Sequence, residues 1–449
     1  MKNKSILSYV SQNVFFTYLN FFLSFITITL LARNFKLSEI GEFNHISYLL
    51  ITLYAFTHFG LNQYFVRLAI QSNQNFYSPQ FFVCLLQLIL TVLAIPVINK
   101  LYHYSYTHII LLSAASYIKY SLINIFLLKQ YSDKKLTTGK QNECFSNILL
   151  ITLLYGIIFS SFPFHYYYYI FFISTVFFLI YSEYCFNIFR SNLIKFRETL
   201  NFNLNFKYIK DARFFFLSTI AMSVTDYVDV IMLGYFHYGS EIIGIYSMVI
   251  RLMFTCCMFA IIIIQTLYHD IFKNPEFVKT KMFPVFLHIL MIFITILLLT
   301  HKFFLPFFFK ENGKMLVPVF YVYIFELVSP FMLGCSISYA KGKNNDRLVL
   351  ILSMAVGIVN LILDYIFGKY YGPIGIAYAT IISLSFISIG SIWIVLKKKS
   401  AAFYLIFIFC LIFFSRSVTV YILVLLAHSF FLILKAHSYF NKKNNKLAD

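Results

Sequence analysis

Charge is scarce in this 449-residue chain. Only 12% of its residues are Asp, Glu, Lys or Arg, while 60% are hydrophobic and the mean hydropathy is +0.78. A water-soluble domain carries about 25% charged residues. A soluble fold could not cover this much apolar side chain, so composition excludes an ordinary globular domain and points to the bilayer. The seven cysteines show no C-x-x-C or C-x-x-C-H spacing, so no disulfide framework and no metal site is read from them. A phosphate-binding G-x-x-x-x-G-K-[ST] loop is missing. The nearest stretch, Thr137-Thr138-Gly139-Lys140-Gln141, lacks the first glycine and the hydroxyl, so no ATP hydrolysis is expected. H-E-x-x-H and G-x-S-x-G are also absent, as is an acidic cluster suited to a metal. No connection is long enough for a catalytic domain, the longest expected outer loop being roughly 301–314. The chain is therefore expected to be neither an enzyme nor a cofactor-binding protein.

What is present is a series of long apolar runs. A spanning helix needs about 20 such residues in a row. About fourteen segments qualify, near 10–32, 43–63, 81–98, 107–128, 146–162, 165–189, 212–235, 244–268, 283–301, 315–339, 348–367, 373–396, 401–414 and 417–434. The runs are continuous rather than alternating, which disfavours a β-barrel. The fold class expected is all-α and polytopic. Lys2 and Lys4 precede the first run, but no A-x-A-like site follows, so it reads as a retained helix. With fourteen spans and the N-terminus inside, only Arg33, Lys36, Lys100, Lys302, Lys310, Lys314, Lys369 and Arg416 fall in outer loops, out of 36 basic residues. The resulting inner excess, roughly three to one, places both termini in the cytoplasm. Much of the net charge of +19 is then a topology signal, and nucleic acid is not an expected partner.

The longest polar stretch, near 190–213, divides the helices into six before and eight after. The expected organisation is an N-terminal lobe over 1–190, a cytoplasmic linker over 191–213, a second lobe over 214–396, and two further helices with a tail over 397–449. A short repeat supports two related lobes. Ser38-Glu39-Ile40-Gly41-Glu42-Phe43 matches Ser240-Glu241-Ile242, then Gly244-Ile245-Tyr246, with one gap. Both copies fall between the first and second helix of their half. Repeats with the same topology imply lobes related by an axis along the membrane normal, with a transport path between them.

Ionisable residues inside a spanning helix cost about 2.5–3.5 kcal/mol each near its centre, so they usually face a partner or a watery cavity. Those found are Lys119, Glu183, Asp226, Asp229, Arg251, Glu326 and Asp364, with Arg33 at the outer end of the first helix. Buried ion pairs or snorkelling side chains explain any one of them, Arg33 and Asp364 most readily. The functional alternative gives Arg33, Lys119 and Arg251 an anionic group to bind, and gives Asp226, Asp229, Glu183, Glu326 and Asp364 a proton or cation. Tyr166-Tyr167-Tyr168-Tyr169 reads as an interfacial aromatic belt rather than a sugar platform.

Four stretches resemble a known family. They are Leu30-Leu31-Ala32-Arg33 with Glu39-Ile40-Gly41-Glu42-Phe43; Phe59-Gly60-Leu61; Asp229-Val230-Ile231-Met232-Leu233-Gly234 with Glu241, Gly244-Ile245-Tyr246-Ser247 and Arg251; and Tyr371-Gly372-Pro373-Ile374-Gly375-Ile376-Ala377-Tyr378-Ala379-Thr380. They are similar to the O-antigen flippases (Wzx type), polysaccharide biosynthesis proteins of the MOP exporter superfamily, which also holds the MATE exporters and lipid II flippases. The resemblance spans about 1–396. It implies two six-helix lobes around a V-shaped, cationic cavity in the inner membrane. It also implies alternating access, with an undecaprenyl-diphosphate-linked oligosaccharide as substrate. A polysaccharide polymerase and a chain-length regulator are further partners it allows, beside membrane lipids. Arg33, Asp229 and Arg251 sit at positions matching the family's motifs. Lys119, Glu183, Glu326 and Asp364 do not, and rest on the cost of burying charge. A MATE-type small-molecule antiporter and a lipid II flippase are the alternatives.

Overall fold

A computed structural model describes residues 2–398, leaving out 59–60, 62–63, 66–67, 69–75, 133–135, 192–193, 196–198, 200, 268–270, 272–273 and 344. The helices expected at 401–414 and 417–434 lie outside the described residues. All regular structure among the described residues is helical, as a backbone surrounded by hydrocarbon requires. Nine helices there are long and apolar enough to cross a membrane. Two of the nine turn back on themselves at a single residue in the left-handed region, Lys310 (φ 52°) and Gly372 (φ 68°), which makes eleven crossings. Leu37–Thr57, with 21 residues, is also long enough to cross, giving twelve.

In the first half these are α1 (Lys2–Asn34), α2 (Leu37–Thr57), α3 (Tyr77–Tyr102), α4 (106–132, with a π turn at Ile118–Leu122), α5 (Leu136–Phe159) and α6 (Tyr166–Phe186). In the second half they are α7 (Arg213–Tyr235), α8 (Ser240–Thr266), α9 (283–309), α10 (311–342), α11 (346–371) and α12 (373–394). The 301–314 region, expected as the longest outer loop, is helix on both sides of Lys310. The polar stretch near 190–213 contains a short amphipathic helix, Phe202–Asp211. The membrane face carrying that helix is the linker side, and the opposite face is the far side.

The helices gather into two bundles. Within the first, α1 packs on α5, α5 on α6, and α4 on α2, α3 and α6; within the second, α7 packs on α11 and α12, and α8 on α9 and α10. The bundles meet where α1 and α2 lie against α7, α8 and α9. The ties at this seam fall in the far-side half of α1 and α2, and there the two copies of the sequence repeat touch each other. A Cβ on Gly41 would strike the backbone of Ser240 and Gly244, and one on Gly244 would strike the carbonyl of Leu37. Small residues let these backbones approach closely, the usual device for holding helices together in lipid. Three residues on from the glycines, Asn44 Nδ2 donates to Ser247 Oγ at 2.7 Å. Tyr48 stacks on Tyr227 with centroids 5.2 Å apart, His45 covers Gly234, and Phe25 packs on Phe308.

The glycine corner at α11–α12 has its own logic. Gly372 tolerates a positive φ without a Cβ clash, and Pro373 then starts α12 where a missing N–H costs nothing. Placing a valine at Gly41 should push α2 off α8, with an overpacking cost of about 1–3 kcal/mol. Thermal unfolding of purified Gly41→Val in detergent checks this; an unchanged midpoint would show that the bundles are not held there.

Candidate functional site

The second bundle buries a polar cluster where α7, α10, α11 and α12 converge. Asp229 is 2% exposed and Asp364 is fully buried. Thr380 Oγ1 lies 2.7 Å from Asp229 Oδ2 and 3.4 Å from Asp364 Oδ1, so one hydroxyl sits between the two carboxyl groups. Tyr323 donates its hydroxyl to Asp229 Oδ2 as well. Asn360 Nδ2 donates to Asp364 Oδ2 at 3.2 Å, and Ser383 Oγ donates to Asn360 Oδ1 at 2.6 Å. The second oxygen of Asp229, Oδ1, has no hydrogen-bond partner. Two carboxyls cannot both stay ionised and bare at this separation in a low dielectric; a proton or a small cation resolves the repulsion. The donor set is wholly oxygen apart from one amide, which suits a hard cation.

Local sequence explains why these groups are presented. Asn360 and Asp364 are one turn apart on α11, and Thr380 and Ser383 are one turn apart on α12. Tyr323 ends a regular stretch of α10; the chain then tightens through a 3-10 turn (Ile324–Leu327) and widens through a π turn (Ser329–Leu333) beside Pro330. Glu326 lies in the tight turn, half-buried, with Oε2 unpartnered. Asp226, one turn before Asp229 on α7, is half-buried too, and both it and Glu326 are within electrostatic range of Asp229.

A second, separate arrangement stands at the seam between the bundles. Arg251 of α8 lies with its guanidinium 5.9 Å from the Phe43 ring centroid and 6.0 Å from that of Tyr48. Tyr120 and Tyr167 complete the surroundings. Lys119 is presented by the π turn of α4, its Nζ 5.8 Å from the Phe171 centroid and 5.9 Å from that of Tyr120. Neither cation is in an ion pair among the described residues. Lys119 lies within electrostatic range of Glu143, but that carboxylate bonds to Lys140 (3.0 Å) and sits beside Asn20 and Asn147.

Thus Asp226, Asp229, Glu326 and Asp364 come together, and Lys119 and Arg251 share a second region. Arg33 and Glu183 join neither. Arg33 is exposed on the far side, where Nε and Nη2 each donate at 2.7 Å to the carbonyls of Phe308 and Phe307. Those are end-of-helix carbonyls left open by the break at Lys310, so Arg33 caps α9 and ties the bundles. Glu183 accepts the backbone N–H groups of Ile188, Phe189 and Arg190 at 3.0–3.2 Å, closing the end of α6. Both carboxylate oxygens are engaged by these N–H groups, away from the four acids of the second bundle. Sequence reasoning missed Tyr323, Asn360, Thr380 and Ser383; the i, i+4 and i, i+3 polar pairs on otherwise apolar helices were the available signal.

No protein-family model matches the chain, and no curated protein matches its sequence. Solved structures do. One is the lipid II flippase MurJ in an inward closed conformation, with a TM-score of 0.71 and 18% identity over 94% of this chain and 99% of that one. Another is a multidrug resistance MATE family transporter of the MOP superfamily, inward-facing, at 0.61 and 16%, covering 87% and 96%. The outward-facing form of a MATE family transporter of that superfamily gives 0.57 and 15%, covering 88% and 96%. At these identities the likeness establishes the fold: this is a multi-pass, all-helical membrane protein built like those transporters.

Replacing Thr380 by valine removes the hydroxyl between the two carboxyl groups. It should destabilise the protein by about 1–3 kcal/mol, the usual cost of stranding a buried polar group. Denaturation of the purified variant reads this, and wild-type stability would show that the two acids do not depend on Thr380.

Proposed function

We propose that the protein is a flippase for undecaprenyl-diphosphate-linked oligosaccharide repeat units, such as those of O-antigen, driven by a cation gradient. The observation that carries this reading is the guanidinium of Arg251. It is held at the seam between two bundles, inside the membrane, with tyrosines and a phenylalanine around it and no carboxylate paired to it. A half-buried cation held between bundles without a counter-ion is left unneutralised, and an anionic group of the substrate would supply the missing charge. A diphosphate fits, since guanidinium binds it in a bidentate fork and Lys119 adds a point charge nearby. An exporter of cationic drugs has no use for that arrangement, which disfavours the MATE-type alternative. The bundle fold supports alternating access around the seam. The basic loops support a cytoplasmic linker side, so the substrate would enter there and leave on the far side.

The buried acids supply the drive in this reading. Asp229 and Asp364 bind a proton or sodium ion, with Asp226 and Glu326 between them and the seam. Lipid II carries the same undecaprenyl diphosphate, so a lipid II flippase is the nearest alternative, and it is favoured by the 0.71 TM-score to MurJ. The two differ in a deletion strain. Loss of long surface polysaccharide in viable cells supports the repeat-unit substrate, while inviability supports lipid II. In the deletion background, Arg251→Ala and Lys119→Ala should each lower surface polysaccharide by about tenfold or more with protein still in the membrane, as expected for the loss of a charge-assisted contact. Normal polysaccharide from both would end the anion-site reading. Asp229→Asn should abolish any dependence of flipping on the sodium or proton gradient, measured in vesicles with each gradient collapsed in turn. Retained dependence would remove Asp229 from the coupling site.

A further inference from the structure

The α7 stripe that holds the acids continues past Asp226 toward the linker side. Ser223 is three residues on and Thr219 four beyond it, each about one turn away, with Ser218 on the adjoining row. These three hydroxyl residues line a cavity of about 270 Å³ whose other walls include Lys341 of α10 and Ser353 and Asp346 of α11. Ser218 and Ser353 hydrogen-bond across it at 3.0 Å. Lys341 and Asp346 both line it, within electrostatic range of each other. From Ser223 to Asp226 the helix rises only about 4.5 Å, and from Ser218 to Asp229 about 16 Å. At the upper end wait two unpartnered carboxylate oxygens, Asp229 Oδ1 and Glu326 Oε2.

We propose that this cavity is the linker-side mouth of a path inside the second bundle, by which the coupling cation reaches and leaves Asp229 and Asp364 without entering the seam. The path rests on the ion-coupled reading of the buried acids. A route through the seam would take a cation past Arg251, which repels it, and past the stacked Tyr48 and Tyr227. A seam filled by a large lipid-linked substrate would also be closed to the ion. The cavity offers oxygens instead: Ser218, Thr219, Ser223 and Ser353 at the mouth, then Asp226, then the buried pair. Beside the cavity α7 and α11 approach closely, since a Cβ on Gly357 would meet the Ala221 carbonyl.

The test uses the full-length chain with its native cysteines replaced and Ser223→Cys added, reconstituted in membranes. A small cationic thiosulfonate, aminoethyl methanethiosulfonate, should modify this cysteine. Ser353→Trp, which fills the cavity from α11, should slow the modification by about tenfold or more, since the probe must pass through the space the indole takes. Ser218→Phe fills it from α7 and serves where the first variant does not fold. A cysteine at 223 that does not react, or one whose rate neither plug changes, overturns the path. The ion reading is judged separately by the gradient dependence of Asp229→Asn. If that variant loses gradient dependence while the plugs leave labelling untouched, the path alone fails. If Asp229→Asn keeps its dependence, the ion reading fails and the path loses its cargo, whatever the labelling rate.

Discussion

The bilayer supplies no hydrogen bonds, and most of this structure follows from that. Each backbone amide in the hydrocarbon must find its partner within the chain, so the described residues are helical wherever they are regular. The same rule governs the breaks. At Lys310 the helix ends and carbonyls come free, and Arg33, from another bundle, takes the oxygens of Phe307 and Phe308. Just past the end of α6 the chain presents the N–H groups of the following turn, and Glu183 accepts three of them in succession. Charged residues that look functional by their rarity are in these two cases the price of ending a helix in lipid.

Where charge is not used for capping, it is concentrated. Four carboxyl groups lie together on the second bundle's side, and Lys119 and Arg251 lie on or near the seam. The separation keeps the buried acids and the two bases from neutralising one another. Asp226 and Glu326 are within electrostatic range of the buried pair and of Tyr48 and Tyr227 beside Arg251. The irregular turns of α4 and α10 fall at Lys119 and Glu326. Extra or missing residues in a helical turn re-aim side chains, which is the commonest reason such turns persist at working sites.

The architecture was readable from apolar runs, because a span is a property of about twenty residues and survives local error. Two crossings were harder to delimit. Residues 301–314 contain Lys302, Lys310, Glu311 and Lys314 and so look like a loop, yet the chain stays helical on both sides of one left-handed residue. The acids were legible through their cost in lipid, and that is why Asp229, Asp364, Asp226 and Glu326 were found together with Glu183, which is not among them. Cost identifies a charge that needs a partner and says nothing about which partner. Tyr323, Asn360, Thr380 and Ser383 were not legible, since hydroxyls and amides are cheap enough to be common in spanning helices. The repeat was legible as similarity. That its two copies would lie in contact, Gly41 on Gly244 and Asn44 on Ser247, follows only once both bundles are built.

That contact also joins the two sites mechanically. Tyr246 of α8 follows Gly244 by two residues and donates its hydroxyl to the Pro373 carbonyl at 2.5 Å, at the corner where α12 begins. Its ring meets the ring of Tyr323 edge-on at 6.1 Å, and Tyr323 donates to Asp229. About one and a half turns further along the same helix is Arg251. The chain of contacts from the buried acids to Arg251 is therefore short, and it passes through the helix that holds the bundles together. Opening the far side requires α2 to leave α8, breaking the Asn44–Ser247 bond and freeing Arg33 from α9. Each of these is worth about 1 kcal/mol net, small against the burial of two bundles and comparable to a modest ion gradient. On the proposed ion-coupled reading, a seam built from a few weak polar ties and two glycines is one that occupancy of the buried carboxyl pair, acting through Tyr323 and Tyr246, has enough leverage to shift.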